Sequence, residues 1–138
     1  MVIAIIMQER IKIGGLCHVA IDVSDLERSI KFYTEMFTMD IASRWDKMVQ
    51  LKTPGGDDSF FLFKADSPAN PRGCGMGHFH FGFRINNHDF DNAMEYIKRN
   101  NITIHPNPDR EAGRFVYIED PDGYVIQLEP REEGKCGG

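Results

Sequence analysis

A clear alternation of apolar and polar residues runs from Gly77 to Ile85. Successive side chains of a β-strand point to opposite faces, so this pattern predicts a strand with one core face and one polar face. The predicted core face consists of Phe79, Phe81, Phe83 and Ile85. The predicted polar face consists of His78, His80, Gly82 and Arg84. Histidines and an arginine grouped beside a glycine suggest the floor of a binding site.

The same pattern occurs earlier in the chain, where His18 to Val23 matches His80 to Ile85 position for position. A helix is predicted after each of these strands, because apolar residues recur there at helical spacing. The two apolar stripes are Leu26, Ile30, Tyr33 and Phe37 in the first helix and Phe90, Met94 and Ile97 in the second. The segment from Ser24 to Glu27 matches a capping box at the start of the first helix.

Further short strands are predicted around turns rich in glycine, proline and aspartate. In the first half the strands are Ile11–Val23, Ile41–Trp45, Met48–Lys52 and Phe60–Phe63. In the second half they are Gly77–Ile85, Ile102–His105, Arg114–Glu119 and Tyr124–Glu129. The sequence therefore predicts an α+β fold of two tandem βαβββ modules, with a cleft between two curved mixed sheets. We expect the polar faces of both first strands to line that cleft.

The predicted organisation has five parts. They are an N-terminal extension over 1–12, the first module over 13–64, a linker over 65–76, the second module over 77–130 and a disordered tail over 131–138. The apolar residues Met1 to Met7 are too few to span a bilayer, and the extension lacks the features of a signal peptide. Translation from Met7 and an ordinary N-terminal strand from Met1 are both compatible with it.

Composition narrows the class of protein. With 41% hydrophobic and 27% charged residues, the chain of 138 residues has the composition of a globular protein. Its net charge of −5 argues against a nucleic-acid partner, because phosphate binding needs a basic surface. The cysteines at 17, 74 and 136 form no CxxC pair, which favours a reduced, cytoplasmic protein, and Cys17 is expected to be a small core residue on the first strand.

Three segments together resemble the glyoxalase / bleomycin-resistance / extradiol-dioxygenase superfamily, also called the vicinal oxygen chelate proteins. These segments are Gly15–Val23, Gly77–Ile85 and Val116–Leu128. The last contains Asp120-Pro121-Asp122-Gly123 followed by an apolar strand, which is a signature of the family. The resemblance covers about residues 13 to 130 and implies a small-molecule substrate, no membrane partner and a homodimer.

The resemblance also implies a divalent metal in the cleft. The two histidine ligands of the family correspond to His18 and His80, and the usual glutamate ligand corresponds to Gln127. Imidazole suits zinc, nickel, manganese or iron, whereas an amide oxygen is a weaker ligand than a carboxylate. Glu129 lies on the same strand face as Gln127 and could replace it after a small shift in register.

Several other residues are candidates for the same site. Arg84 and Arg114 could bind an anionic group of a substrate, Tyr117 matches a tyrosine of the extradiol dioxygenases, and Trp45 could wall the pocket. The candidate general base is Glu129. His88 and His105 are expected to be exposed residues of a loop or a strand end.

Three functions are compatible with these residues. The first is a metal-dependent lyase or isomerase that binds two adjacent oxygens of a small substrate. The second is a metal-free protein of the bleomycin-resistance kind that sequesters a cationic antibiotic, which the acidic net charge and the missing carboxylate favour. The third retains only the fold, with a relict cleft.

Overall fold

The computed structural model describes residues 10–66, 79–105 and 114–132. The predicted linker over 65–76 lies almost entirely outside the described residues. The same holds for Gly77, His78, the loop over 106–112 and most of the predicted tail. None of the described helices is long and apolar enough to cross a membrane.

The first module is one sheet covered by a short helix. Its elements are β1 (His18–Val23), α1 (Leu26–Lys31), a π-helical turn (Phe32–Met36), β2 (Asp40–Arg44), β3 (Met48–Lys52) and β4 (Ser59–Lys64). The strand order is β1-β4-β3-β2, with β1 parallel to β4 and the other pairs antiparallel. This is the predicted βαβββ arrangement.

The second module repeats this arrangement. Its elements are β5 (His80–Asn86), a 3₁₀ turn (Asn87–Asp89), α2 (Phe90–Arg99), β6 (Ile104–His105), β7 (Val116–Glu119) and β8 (Val125–Arg131). The strand order is β5-β8-β7-β6, and β5 again runs parallel to the last strand of its module. The two mixed four-stranded sheets confirm the predicted fold class. The last strand continues to Arg131, one residue into the predicted tail.

Two predicted features at the ends of β1 differ from the structure. The strand begins at His18 rather than Ile11, because Gly15 has a φ of 149°, a conformation that favours glycine and interrupts a strand. Cys17 therefore precedes the strand and is exposed rather than part of the core. At the other end Asp25, not Ser24, caps α1: its carboxylate accepts a hydrogen bond of 3.0 Å from the amide of Arg28.

One hydrophobic core lies on the helix-covered side of both sheets. Its fully buried side chains come from both modules and include Val23, Tyr33, Val49, Leu51, Leu62, Ile118 and Ile126. Phe60 of the first sheet lies 5.1 Å from Phe81 of the second, measured between ring centroids, so the apolar sides of the two sheets share this core. Phe79, predicted as a core residue, is 54% exposed because it lies one residue before β5 begins.

A polar joint connects the modules at the turn that contains the aspartate-proline-aspartate-glycine motif. The Tyr33 hydroxyl donates a hydrogen bond of 2.7 Å to Asp120, which also accepts bonds from the amides of Asp122 and Tyr124. Burial raises the pKa of the Asp120 carboxyl above its usual value, and burial also raises the pKa of Tyr33 well above its usual value. Burial thus disfavours the ionised form of both partners.

A second set of contacts lies beside this joint. Asp122 accepts hydrogen bonds from the Ser24 hydroxyl and from the Arg28 guanidinium. Ser24, predicted to cap the helix, therefore holds the turn of the other module instead. These contacts fix the ends of β1 and β8 relative to each other, and with them the two faces that carry the candidate site.

Candidate active site

The faces opposite the core carry the residues that the sequence singled out. Burial alternates along β1, where Ile21 and Val23 are buried while His18 and Asp22 are exposed. His80 directly precedes the core residue Phe81 on β5. Because consecutive side chains of a strand point to opposite faces, His80 lies on the side of β5 away from the shared core. His18 and His80 thus occupy equivalent positions on the faces of the two sheets that lie away from the shared core, here called the outer faces.

The outer face of the second sheet is organised in rows across the strands. Gly82 of β5 is in register with Gln127 of β8, which is in register with Tyr117 of β7. Because residues in register share a face, the Gln127 amide lies on the same side as the His80 imidazole, on the neighbouring strand. The Tyr117 and His80 rings meet edge to face, with centroids 5.7 Å apart. Three predicted site residues are therefore brought onto one face, on which Tyr117 is buried.

Gly82 has a visible packing role on this surface. A Cβ atom added there would lie 3.1 Å from the carbonyl oxygen of Gln127, closer than most real contacts. The absent side chain allows β5 to approach β8 and leaves space in front of the glutamine. His80 and Arg84 therefore flank an open position on β5.

The outer face of the first sheet has a different chemistry. Ala20 is in register with Phe61, so an aromatic ring stands where the second module has Gln127. The His18 ring contacts Phe61 edge to face at 5.3 Å between centroids. Beside it, Gln50 donates a hydrogen bond of 2.9 Å to the Ser59 hydroxyl. His18 is thus the one residue of this face that matches the predicted ligand set.

Two further candidates continue the rows of the second sheet. Arg84 is in register with Glu129, which places both on the same face as Gln127, and Arg84 is exposed. The Glu129 carboxylate pairs with Arg131 on its own strand. This cation competes for the carboxylate that was considered as a base or a replacement ligand.

Arg114 has different surroundings from those predicted. It lies two residues before β7, and its guanidinium pairs with Asp91 and stacks on the Phe90 ring at 4.4 Å from the centroid. Arg114 and Tyr117 are separated by three positions, so they point to opposite faces of an extended chain. Arg114 accordingly lies beside α2 on the core side, away from His80.

Trp45 follows β2 at the edge of the first sheet. Its backbone amide donates a hydrogen bond of 2.8 Å to the carbonyl of Met48, which closes the turn between β2 and β3. Its side chain is 49% exposed, so an indole surface is available to a ligand or a partner. Its predicted substrate contact remains a prediction.

On the second sheet, the sequence did not predict the pairing of His105 with Glu119. His105, predicted to be exposed, lies on β6 in register with Tyr117, and its Nε2 atom is hydrogen-bonded to Glu119 of β7. The signal was available in principle, because Glu119 and Tyr117 are two positions apart and must share a strand face. What the sequence did not provide was the pairing of the two-residue strand β6 with β7.

The candidate metal ligands are few and carry no negative charge. Among residues 10–66, 79–105 and 114–132, no three histidine, cysteine or acidic side chains are grouped closely enough to hold a metal ion. The candidate set is two imidazoles and one amide oxygen, all neutral. Such donors fit zinc, nickel, manganese or iron in kind but leave the charge of the ion uncompensated, so anionic or polarised oxygens of a substrate would complete the coordination.

Comparison with known proteins identifies the family. The model of the Glyoxalase/Bleomycin resistance protein/Dioxygenase superfamily matches residues 15–128. The chain belongs to this superfamily. It is 30% identical over 123 residues to a lactoylglutathione lyase of Arabidopsis thaliana, which covers 80% of this chain and 42% of that protein. It is 25% identical over 119 residues to the metallothiol transferase FosB of Staphylococcus haemolyticus, covering 84% of this chain and 83% of that enzyme.

The lengths of these relatives differ. The chain spans less than half the length of the plant lactoylglutathione lyase and most of the length of FosB. Among solved structures, FosX of Listeria monocytogenes, a fosfomycin resistance protein crystallised with Mn(II) and sulfate, superposes with a TM-score of 0.71 at 22% identity. That match covers 88% of this chain and 94% of FosX and shows the shared fold.

Proposed function

We propose that this protein is a divalent-metal-dependent lyase or isomerase acting on a small substrate with adjacent oxygens. The observation that carries the proposal is the outer face of the second sheet, where His80, Gln127 and Tyr117 lie together. His18 at the equivalent position of the first module is the second imidazole of the proposed ligand set. Among the named relatives, the lactoylglutathione lyase supports a lyase, and the metallothiol transferase and the Mn(II) complex of FosX support metal dependence.

In this proposal His18, His80 and Gln127 hold the metal, which is zinc, nickel, manganese or iron. When bound, the ion supplies Lewis-acid polarisation of the substrate oxygens. Gly82 keeps the space in front of Gln127 open for the substrate. Tyr117, which is buried, packs against the His80 ring and restricts its orientation.

The remaining predicted residues have supporting roles. Arg84 supplies a positive charge on the face that carries Glu129 and would attract an anionic group of the substrate. The exposed indole of Trp45 would cover an apolar part of it. Glu129 is retained as the predicted general base, although its pairing with Arg131 weakens this role. Arg114 would bind substrate only if it left Asp91 and Phe90.

The direct test is metal titration followed by an activity panel. Metal-free protein is titrated calorimetrically with Zn(II), Ni(II), Mn(II) and Fe(II), and the loaded forms are assayed with S-lactoylglutathione and with fosfomycin plus glutathione or water. We expect saturable binding of at least one metal and turnover of one substrate. Less than about a tenth of an equivalent of every metal would rule out this function.

A second candidate is metal-free binding of a cationic antibiotic, as in bleomycin resistance proteins. It is favoured by the first sheet, where Phe61 replaces a ligand and stacks near Phe63, with centroids 6.3 Å apart. It is opposed by the paired histidines, which an antibiotic trap does not need. Calorimetry with bleomycin on metal-free protein tests it: absence of binding at high micromolar concentration would exclude sequestration of that drug.

We also propose that the protein acts as a homodimer in the cytoplasm. In support, the segment before β1 leaves three apolar side chains, Ile11, Ile13 and Leu16, exposed by 91%, 80% and 88%. Such a concentration of exposed apolar side chains in one short segment is typical of an interaction surface. Sedimentation at several concentrations tests the dimer. Mixing the H18A and H80A variants then tests whether a site is shared, since a site built from two chains would regain metal binding in mixed dimers.

A further inference from the structure

A groove with largely apolar walls runs along the free edge of β5. Strand β5 pairs with β8 on one side, and it forms an edge of the second sheet. The consecutive residues 82–86 all line one cavity of about 660 Å³. Because side chains alternate between the two faces of a strand, a cavity that touches consecutive residues follows the edge of the strand. Its volume lies within the roughly 300–1,000 Å³ of pockets that take up ligands.

The other wall of this groove belongs to the first module. It is formed by residues 36–39, which follow α1, and by Thr53 and Asp58 of the turn between β3 and β4. The floor consists of apolar side chains of the second module, among them Ile97, Ile102, Ile118 and Leu128. Phe37 and Phe83 meet across the groove with ring centroids 5.2 Å apart, and both are only partly buried. The shared core is therefore incompletely covered along this line.

The edge of β5 also offers backbone groups to a partner. Among the described strands, β8 alone pairs with β5, so the N–H and C=O groups on the other side of β5 are available. An extended peptide that adds to such an edge gains backbone hydrogen bonds and places alternate side chains in the adjoining pocket. The groove thus fits an extended, partly apolar segment.

Residues 10–17, here called the arm, have this character. Ile11, Ile13 and Leu16 of the arm remain largely exposed, and β1 begins only at His18. Ile11 and Ile13 are two positions apart, so they share one face of an extended chain. The eight residues of the arm are more than enough to cover the five lining positions of β5. The chain therefore carries both an exposed apolar segment and a groove able to receive it.

Charge also favours this pairing. Among the described residues that line the groove, the charged side chains are Asp58, Asp89 and Arg84, so the lining is negative overall. Lys12 lies between the two isoleucines of the arm and is exposed. With the isoleucines directed toward the floor, Lys12 projects toward the open side of the groove. A positively charged arm thus suits a negatively charged rim.

The base of the arm lies close to β5. Leu16 and Cys17 line a smaller cavity of about 160 Å³ together with Gly82 and Phe83. Ile11 is nevertheless exposed, so the outer part of the arm leaves the surface of its own chain. A second copy related by a two-fold axis near this point would receive the arm and give its own in return. Such a reciprocal exchange closes with two chains.

We propose that the arm of one chain binds in the β5 groove of a second copy, with each copy donating one arm and receiving the other. This inference rests on the homodimer proposed above and not on the metal site. The exchange buries Ile11 and Ile13 against the floor of the groove and pairs the backbone of the arm with β5. It also supports β5, which carries the proposed ligand His80, from its free side.

The first experiment changes the arm. Sedimentation velocity at several protein concentrations measures the dissociation constant of the dimer. I11D/I13D introduces charges that the apolar floor cannot accept, and both positions are exposed in the single chain, so folding should be unaffected. We expect the dissociation constant to rise by roughly 100-fold or more. I11V/I13V is the matched control, because it keeps an apolar arm and should dimerise like the wild type.

The second experiment changes the groove. Ala93 of α2 lines the groove and is only partly buried. A93F narrows the groove and should raise the dissociation constant by roughly tenfold or more. A42F is the control, since Ala42 is exposed on β2 and is not among the residues that line the groove. Circular dichroism of each variant checks that it is folded.

Photo-crosslinking identifies which chain occupies the groove. The photoreactive residue p-benzoylphenylalanine replaces Ile13, and ¹⁵N-labelled and unlabelled chains are refolded together before irradiation. We expect mass spectrometry to find cross-links to peptides from residues 82–97 that join one labelled and one unlabelled chain. Cross-links confined to single chains would show that the arm folds back into its own groove, which overturns the exchange.

The remaining outcomes separate the exchange from the proposals on which it rests. A wild type that stays monomeric at every concentration removes both the homodimer and the exchange. If I11D/I13D and A93F dimerise as tightly as the wild type, the homodimer stands and the arm is not its contact. Cross-links to another surface of the second copy lead to the same conclusion. Metal titration of the wild type tests the proposed lyase or isomerase separately.

Discussion

The outer faces of the two modules begin with the same residue and then differ. Each has a histidine at the start of its first strand, yet the neighbouring strand presents Phe61 in one and Gln127 in the other. The second face continues with Tyr117, Glu119 and His105. The first face has instead the side-chain amide of Gln50, hydrogen-bonded to the Ser59 hydroxyl. The duplication therefore yields one polar face able to carry chemistry and one aromatic face that contributes a single imidazole.

The turns between the last two strands of each module differ in the same way. In the first module the turn is exposed and closed on itself, with Asp58 accepting a hydrogen bond of 2.8 Å from the amide of Thr53. In the second module Asp120 is buried and bonded to Tyr33 of the other module. The polar second module is thus also the one whose last turn is fixed, which favours a preorganised site there.

The largest expected effect is loss of metal binding after removal of a histidine. H80A should reduce metal affinity by more than the roughly 10- to 100-fold that loss of an outer-shell partner costs, because a ligand itself is removed. H18A should have a similar effect if the first face contributes its imidazole. Calorimetric titration with Mn(II), Ni(II) and Zn(II) measures both.

The control for this pair is H88A, which should bind metal like the wild type. If H18A also bound like the wild type while H80A did not, the first module would have no part in the site. In that case the second module alone would bind the metal, and the first module would have a structural role only.

A smaller effect is expected from restoring a carboxylate to the polar face. Q127E adds a negative charge to a neutral donor set, so we expect metal affinity to rise by about tenfold, equivalent to about 1.4 kcal/mol. Q127M, which has similar size but no oxygen donor, should bind more weakly than the wild type. Equal affinities of the three proteins would show that residue 127 is not a ligand.

Much of this architecture could be predicted from local patterns. The alternation along β1 and β5 and the helical stripes predicted the repeat, because periodicity directly reports which side of an element is buried. The cap of α1 was wrong, since Ser24 and Asp25 are both good caps and only the contact of Ser24 with Asp122 decides between them. That contact joins residues 98 positions apart, which no local pattern can reveal.

The candidate site was predicted less completely for a similar reason. The equivalent strand positions of His18 and His80 followed from the repeat in the sequence, and their role as ligands remains a prediction. The pair of His105 and Glu119 depends on the pairing of a two-residue strand, and the position of Arg114 depends on where β7 begins. Strand ends and pairing partners are determined by tertiary packing, so these details required the structure.

The joint between modules should make stability depend on pH. Burial raises the pKa of Asp120 above its value in the unfolded chain, so folding takes up a proton between these two values. The stabilising contribution is therefore complete below about pH 4 and is lost as the pH rises through the raised pKa. D120N, which cannot ionise, should remove this decline. Urea unfolding at intervals from pH 4 to 7 measures the difference between the two proteins.

The corresponding residue of the exposed turn provides the control. Asp58 lies in a turn that faces solvent, so D58N should leave the pH dependence of the wild type intact. If D58N and D120N changed the curve equally, burial of the second turn would not be the cause.

The smallest expected effect concerns a strand position that differs between the two modules. It is Gly82 in β5 and Ala20 in β1. G82A would place a methyl group 3.1 Å from the Gln127 carbonyl oxygen, so β8 must shift by a few tenths of an ångström. We expect a loss of about 1 kcal/mol in the free energy of unfolding, together with weaker metal binding as Gln127 moves.

The reverse change in the first module, A20G, should cost roughly 0.5–1 kcal/mol through backbone entropy alone and leave metal binding unchanged. Chemical denaturation and metal titration of both variants separate these effects. If A20G weakened metal binding as much as G82A, the close approach of β5 to β8 would not be what distinguishes the polar face from its aromatic counterpart.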